Sequence, residues 1–437
     1  MSPLENLPGI ADLSLTGPKA QIAVILALLL ALALIIRPPK ARRGPRGWFT
    51  GPVLVTGVVA WSIVACVWLL LEVIWRPFPE QVPGAMYLAG GVALHVGFLA
   101  VVKPLATRRR NLALTLPVAL VAVVAALLQA NITYQLYPTV ATLDPTAGPE
   151  EYDYAALPSV RDRRDGGVVT QVKLGNSASG FAARDAQVYL PPAYFDRDRP
   201  RLPVIVLVHG VPGSPAQWFD EGRAGEALDS FAAAHEGRAP VVVAVDANGE
   251  TFKDTLCADS PVTGDKPMTY LATDVPRAVK ELFDVSADPA EWAIAGLSRG
   301  GSCALQASLQ NPGTYPTFLA MSPQKHPVDE NLKQTVDKYF RGDRAAYDAI
   351  DPLAMLERGW AQPSGDGAVP VAGTIIAAVD DEEDGDAGRA LADAANRAGL
   401  PVVYSERPGG HTWRIWAAGF RDSLPWLSAR LGLTGED

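Results

Sequence analysis

Ser298 stands between two glycines in the pattern Gly-x-Ser-x-Gly, with Gly296 and Gly300 on either side. An apolar run, 292–295, precedes it and a helix-forming run, 303–307, follows. A serine on a sharp turn between a strand and a helix carries its hydroxyl exposed, the setting of a nucleophile. A hydroxyl also needs a base to take its proton. The chain has five histidines. His95 falls in an apolar segment, His209 ends a strand well before the turn, His235 closes a polar helix end and His326 opens a charged segment. His411 lies on the Gly-Gly loop of RPGGHTWRIW after the last strand, where the base falls in a Ser…Asp…His chain order.

The third member should follow the strand 374–379, where AAVDDEEDGD offers a run of acids. An acid that orients an imidazole comes a few residues past a strand end, so Asp381 is expected, with Asp380 and Asp384 as alternatives. A calcium loop is the competing reading of so acidic a run. Its closing glutamate would fall at Leu391, so that reading fails, and no metal or cofactor is expected. Acyl transfer also needs donors for the developing oxyanion. The N–H of Arg299, directly after the nucleophile, is one candidate; the N–H of Val211, in LVHGVPGS after the strand 204–208, is the other.

These residues need a scaffold, and the chain of 437 residues has room for more than one domain. From about residue 167 onward, strands at 168–174, 186–190, 204–208, 241–245, 292–295, 317–321, 374–379 and 402–404 alternate with helices at 226–234, 270–283 and 387–397. Continuous apolar strands alternating with helices predict an α/β fold, a mostly parallel sheet covered on both faces. Residues 325–360 form a charged, partly helical insertion, readable as a lid or as an ordinary surface excursion. Residues 138–166, with DPTAGPEEYDY, read as a linker.

The first third, residues 1–137, is dense in Ala, Leu and Val and nearly free of acids. Four segments, roughly 20–36, 53–75, 85–102 and 112–130, approach the ~20 apolar residues that cross a bilayer. An acidic stretch precedes the first and a basic cluster follows it, the reverse of a signal peptide. The first loop carries Arg37, Lys40, Arg42, Arg43 and Arg46, and the third carries Lys103, Arg108, Arg109 and Arg110. Basic loops stay in the cytoplasm, so both termini and the catalytic domain, residues 167–437, are expected outside it. Glu72 reads as interfacial; His95, nearer mid-span, lacks an evident partner. Of three cysteines, Cys66 is in an apolar span, which leaves Cys257 and Cys303 as partners for a disulfide. Loops at the C-terminal ends of parallel strands share one rim, which brings the two within reach. The net charge of −9 gives no reason to expect a nucleic-acid partner.

LVHGVPGSPAQW, GLSRGGSCAL and GGHTWRIW together resemble the esterase D and mycolyltransferase branch of the α/β-hydrolases, over about residues 186–431. That branch includes S-formylglutathione hydrolases, enterochelin esterases and secreted trehalose mycolyltransferases of actinobacteria. The resemblance implies Ser298 as nucleophile, His411 as base, an acid among residues 380–384, and an oxyanion hole at Arg299 and Val211. The membrane third lies outside it, and is similar to actinobacterial proteins that fuse such a hydrolase to a few helices. The mycolyltransferases carry an acid where this chain has His209, which turns the expectation toward simple ester hydrolysis. The expected protein is a membrane-anchored, extracytoplasmic serine esterase acting on acyl esters, with an envelope lipid or glycolipid as a candidate substrate. Acyl transfer to a sugar or other envelope acceptor is the second reading, and an inactive hydrolase fold serving as a binding module the third.

Overall fold

The computed structural model describes residues 9–10, 13–36, 51–75, 81–106, 112–143, 148–160, 166–197 and 201–434. The chain divides into two compact units, Met1–Pro145 and Thr146–Asp437.

The first unit is four helices: α1 (Gly17–Ile36), α2 (Gly51–Leu69, continued by a π turn to Ile74), α3 (Gly84–Ala106) and α4 (Leu112–Tyr134). All four are long and apolar enough to cross a membrane. Leu26, Val58, Leu88 and Leu127 stand exposed on their outer faces, while Ala60, Val96, Leu99 and Ala122 are buried between them. Where lipid offers no hydrogen bonds, polar side chains must find partners within the protein. Gln21 bonds Gln129 across α1 and α4 at 2.7 Å. His95 has its Nε2 3.1 Å from the Val53 carbonyl. Glu72 accepts from the Tyr87 hydroxyl and the Val82 N–H. These bonds give His95 and Glu72 structural partners. Of the basic loop residues that set the expected orientation, only Lys103 lies within the described residues.

The second unit is built on a nine-stranded sheet. Its strands are β1 (Glu150–Glu151), β2 (Val168–Val172), β3 (Ala186–Leu190), β4 (Val204–Val208), β5 (Val241–Val245), β6 (Trp292–Leu297), β7 (Thr317–Met321), β8 (Ala372–Ala378) and β9 (Val402–Arg407). They lie in the order β1-β2-β3-β5-β4-β6-β7-β8-β9. β3 runs antiparallel to β2 and β5, and every other pairing is parallel. VIVLV of β4 and VVVAV of β5 are buried at every position. Burial of both faces makes an unbroken aliphatic run favourable, at roughly 1.5–3 kcal/mol for each large side chain. From β4 the chain steps outward to β5, then returns past β4 to β6. That reversal opens a crevice at the carboxyl ends of β4 and β6.

Among the described residues, eight helical pieces complete the unit besides short turns: α5 (Ala224–Ala234), α6 (Val275–Leu282), α7 (Arg299–Gln310), α8 (Leu332–Phe340), α9 (Arg344–Asp348), α10 (Pro352–Glu357), α11 (Glu382–Arg397) and the C-terminal α12 (Trp413–Arg430). Two expectations change. Of the stretch read as a linker, residues 148–160 belong to this unit: β1 pairs with β2, and Leu157 and Val160 are buried in the core. Tyr154 packs edge-on against Phe283 and donates to the Leu282 carbonyl. The helix expected over 387–397 begins a turn and a half earlier, at Glu382, because Asp381 caps it by accepting from the Asp384 N–H.

Candidate active site

β6 delivers Ser298 at its carboxyl end and α7 begins at the next residue. The backbone at Ser298 has φ 54° and ψ −124°, a strained conformation for a residue with a side chain. Neighbouring backbone enforces the glycines around it. A Cβ on Gly296 would lie 2.0 Å from the Gly300 carbonyl oxygen, and one on Gly300 would lie 2.2 Å from the Val208 oxygen. The Ser298 N–H donates to Met321 O on β7 at 2.8 Å, which ties the turn to the sheet.

His411 follows β9 on the Gly409-Gly410 loop and reaches back over the rim. The Ser298 hydroxyl donates to its Nε2 at 2.8 Å. Its Nδ1 donates to Asp384 Oδ2 at 2.8 Å. Trp416, one turn into α12, sets its ring perpendicular to the imidazole at 4.8 Å and anchors its own Nε1 on the Ser322 hydroxyl. The side chain of His411 is 13% exposed and that of Asp384 is 11% exposed, so the line of three groups is largely shielded from water.

Asp384, an alternative in the sequence, therefore takes the position expected of Asp381. The Asp381 carboxylate stands 3.7 Å from Nδ1, beyond a hydrogen bond, and is engaged as the cap of α11. Asp380 is exposed; its backbone N–H, rather than its carboxylate, links to this loop, by donating to Gly409 O. Asp381, Asp384 and His411 have donor atoms within 4.8 Å of one another, a set able to hold a cation. Both imidazole nitrogens are committed within the serine–histidine–aspartate line, which is the arrangement for proton transfer rather than metal ligation.

Of the two expected oxyanion donors, Arg299 directly follows Ser298 and Val211 follows Gly210, which packs against Ser298. Arg299 is the first residue of α7, so its N–H has no carbonyl one turn back. Gly210, next to Val211, packs so closely that an added Cβ would lie 3.2 Å from the Ser298 Cβ. Neither the Arg299 nor the Val211 N–H has a hydrogen-bond partner among the described residues. The side chain of Arg299 has a separate role that its position in the motif does not suggest. Its Nη2 lies 2.6 Å from Asp254 and donates to the Val328 carbonyl, bridging the loop after β5 to the segment after β7. Cys257, in the same loop, is disulfide-bonded to Cys303 of α7, with Cα atoms 5.4 Å apart. The remaining histidines of this unit are engaged elsewhere: His235 stacks on Phe231, His326 pairs with Asp351, and His209 lies buried against Asp246.

Residues 182–427 match the Esterase family, whose description reads "Putative esterase". An uncharacterized protein of Corynebacterium glutamicum is 35% identical over 409 residues, 88% of this chain and 94% of that one. The chain belongs to the Esterase family. Among solved structures, a ferulic acid esterase shares the fold with a TM-score of 0.52 and 21% identity, covering 62% of this chain and all of that one. An S-formylglutathione hydrolase from Agrobacterium tumefaciens does so with a TM-score of 0.50 and 20% identity, over 62% of this chain and 99% of its own. The second unit thus has the α/β-hydrolase fold, in a chain of the Esterase family that carries four apolar helices ahead of it.

Proposed function

We propose that this esterase is anchored in the membrane and cleaves acyl esters outside the cytoplasm through an acyl-enzyme on Ser298, with His411 as base and Asp384 as its orienting acid. The observation that carries the reading is the pair of 2.8 Å bonds linking Ser298, His411 and Asp384. As Ser298 Oγ attacks the ester carbonyl, its proton passes to Nε2 of His411, and the imidazolium is stabilised by Asp384. The carbonyl oxygen becomes an oxyanion facing the N–H groups of Arg299 and Val211. Collapse of the tetrahedral intermediate returns the proton from Nε2 to the leaving alcohol and leaves the acyl group on Ser298. Water, deprotonated by the same nitrogen, then releases the acid and restores the serine.

The compartment is argued from charge and from sulfur. Basic residues crowd the first and third loops between the apolar helices, and such loops remain cytoplasmic. The Cys257–Cys303 disulfide suits an oxidising compartment. Four spans on the same chain hold the hydrolase at a bilayer, which favours acyl esters of membrane or envelope lipids as its substrates. One experiment tests the whole reading. A membrane-impermeant fluorophosphonate added to intact cells should label the wild-type chain at Ser298 and leave Ser298→Ala unlabelled. Labelling only after lysis would overturn the orientation; no labelling of folded protein would overturn the catalytic reading.

A further inference from the structure

The loop after β4 contains Gly210, Val211, Pro212 and Gly213, and a loop with two glycines has little stiffness of its own. An oxyanion donor works only when it is fixed before the charge develops. We propose that Arg184, His209 and Asp246 form a buried clamp that positions this loop, and in particular aims the Val211 N–H; the inference rests on the catalytic reading above.

The argument begins at one peptide group. His209 Nδ1 is 2.7 Å from the Gly210 carbonyl oxygen and its Nε2 is 3.1 Å from Asp246 Oδ1; both oxygens only accept, so the imidazole donates from both nitrogens. That carbonyl and the Val211 N–H belong to the same trans peptide, so they point in opposite directions. Holding the oxygen on the His209 side turns the N–H away from it. The same bond polarises the peptide and makes its N–H a better donor.

His209 is held in turn. It is 1% exposed, and its Nε2 is 3.1 Å from Asp246 Oδ1. Arg184 grips Asp246 in a fork, Nε to Oδ2 at 2.9 Å and Nη2 to Oδ1 at 3.0 Å. Its backbone N–H adds a third bond at 2.8 Å. Asp246 is fully buried and also receives the N–H groups of Asn248 and Gly249. Burial alone pushes this carboxyl up, but the bonds from His209 and Arg184 outweigh it and hold the group ionised, far below the usual carboxylate range.

The far end of the loop is fastened by the same arginine. Arg184 Nη2 donates to Gly213 O at 2.9 Å, and its Nη1 donates to Thr251 Oγ1 at 3.2 Å. The Gly213 N–H donates to Thr251 O at 3.0 Å. A Cβ on Gly213 would lie 2.7 Å from His209 Nδ1, so the loop is wrapped directly on the imidazole. Both ends are bonded, and the Val211 N–H between them has no partner among the described residues. None of the three clamp residues touches the serine–histidine–aspartate line, so each is a positioning residue.

The test uses the full chain purified in detergent, 4-nitrophenyl acetate as substrate and phenylboronic acid as a mimic of the tetrahedral intermediate. His209→Leu and Arg184→Met are expected to lower kcat by about ten- to hundredfold and to weaken boronate inhibition by a similar factor. KM should move by less than about threefold. His209→Asn, whose amide nitrogen sits where Nδ1 was, should recover most of the lost kcat. A role in stability alone would give folded variants with wild-type kcat and inhibition, or a lower kcat with unchanged boronate affinity, and either result overturns the clamp. Should His209→Leu fail to fold, Arg184→Lys, which keeps the charge and loses the fork, decides by the same two readouts. A wild-type chain that neither hydrolyses the ester nor takes fluorophosphonate at Ser298 defeats the catalytic reading and the clamp with it. An active wild type with unaltered variants defeats the clamp alone.

Discussion

Asp381 and Asp384 are three residues apart, yet their carboxylates serve different ends. One caps a helix and the other faces an imidazole. Asp384→Asn is therefore expected to reduce kcat on the order of 10²–10⁴-fold with the fold intact, because the imidazole loses the partner that holds its tautomer. Asp381→Ala should instead cost about 1 kcal/mol of stability through the lost cap, with turnover reduced by less than about tenfold. Steady-state kinetics and urea denaturation of the two variants check the division; a greater kinetic loss in Asp381→Ala would reverse the roles. Ser298 and His411 were legible in the sequence because each has a marked setting, the glycine elbow and the glycine loop after the last strand. The acid was not, because a run of five carboxylates over 380–384 carries no contrast between its members. The discriminating signal lay in helix chemistry: an aspartate followed by acids in the next turn marks a cap and a first turn, so residues after Asp381 belong to a helix.

Strands were legible for a different reason. β4 to β7 are buried at every position, and their nearly continuous apolar runs, wholly aliphatic in β4 and β5, mark them as strands covered on both faces. The segment over 148–160 was opaque because its apolar residues, Tyr154, Leu157 and Val160, are interleaved with acids and proline and follow no period. The insertion after β7 was undecided between lid and surface excursion, and its anchoring lies in polar contacts that hydropathy does not reveal. Ser260 donates to the Tyr339 carbonyl, Tyr339 donates to the Asp254 carbonyl and Arg341 donates to the Pro261 carbonyl. Leu256 and Ala258 pack beneath Val336, Tyr339, Phe340 and Tyr347. The insertion and the loop after β5 thus form one body, joined to α7 by the disulfide. Cys257 and Cys303 are 46 residues apart, a closure worth about 4 kcal/mol in the chain-entropy account. Replacing both by alanine should lower the unfolding free energy of the oxidised chain by up to that amount, measured by urea denaturation. An unchanged midpoint would show that the surrounding contacts already hold the loop.

At the scale of the whole molecule, one chain joins four apolar helices to an α/β-hydrolase fold. The division was legible because bilayer thickness imposes a length on apolar runs that a buried soluble helix does not repeat four times in succession. The anchored insertion bears on how the proposed esterase would meet a lipid substrate. Many hydrolytic sites open only when a flap swings aside at a lipid–water boundary, and their rate jumps once the substrate aggregates. Here the segment over 325–360 is tied down by Arg299, Tyr339 and Arg341 before any surface is met. Turnover of 4-nitrophenyl butyrate should therefore follow a single saturation curve through its solubility limit, and a sharp upward break there would show that the insertion moves. On the proposed reading, the four apolar helices would set how often an ester arrives, and without interfacial activation the site would be equally competent with each arrival.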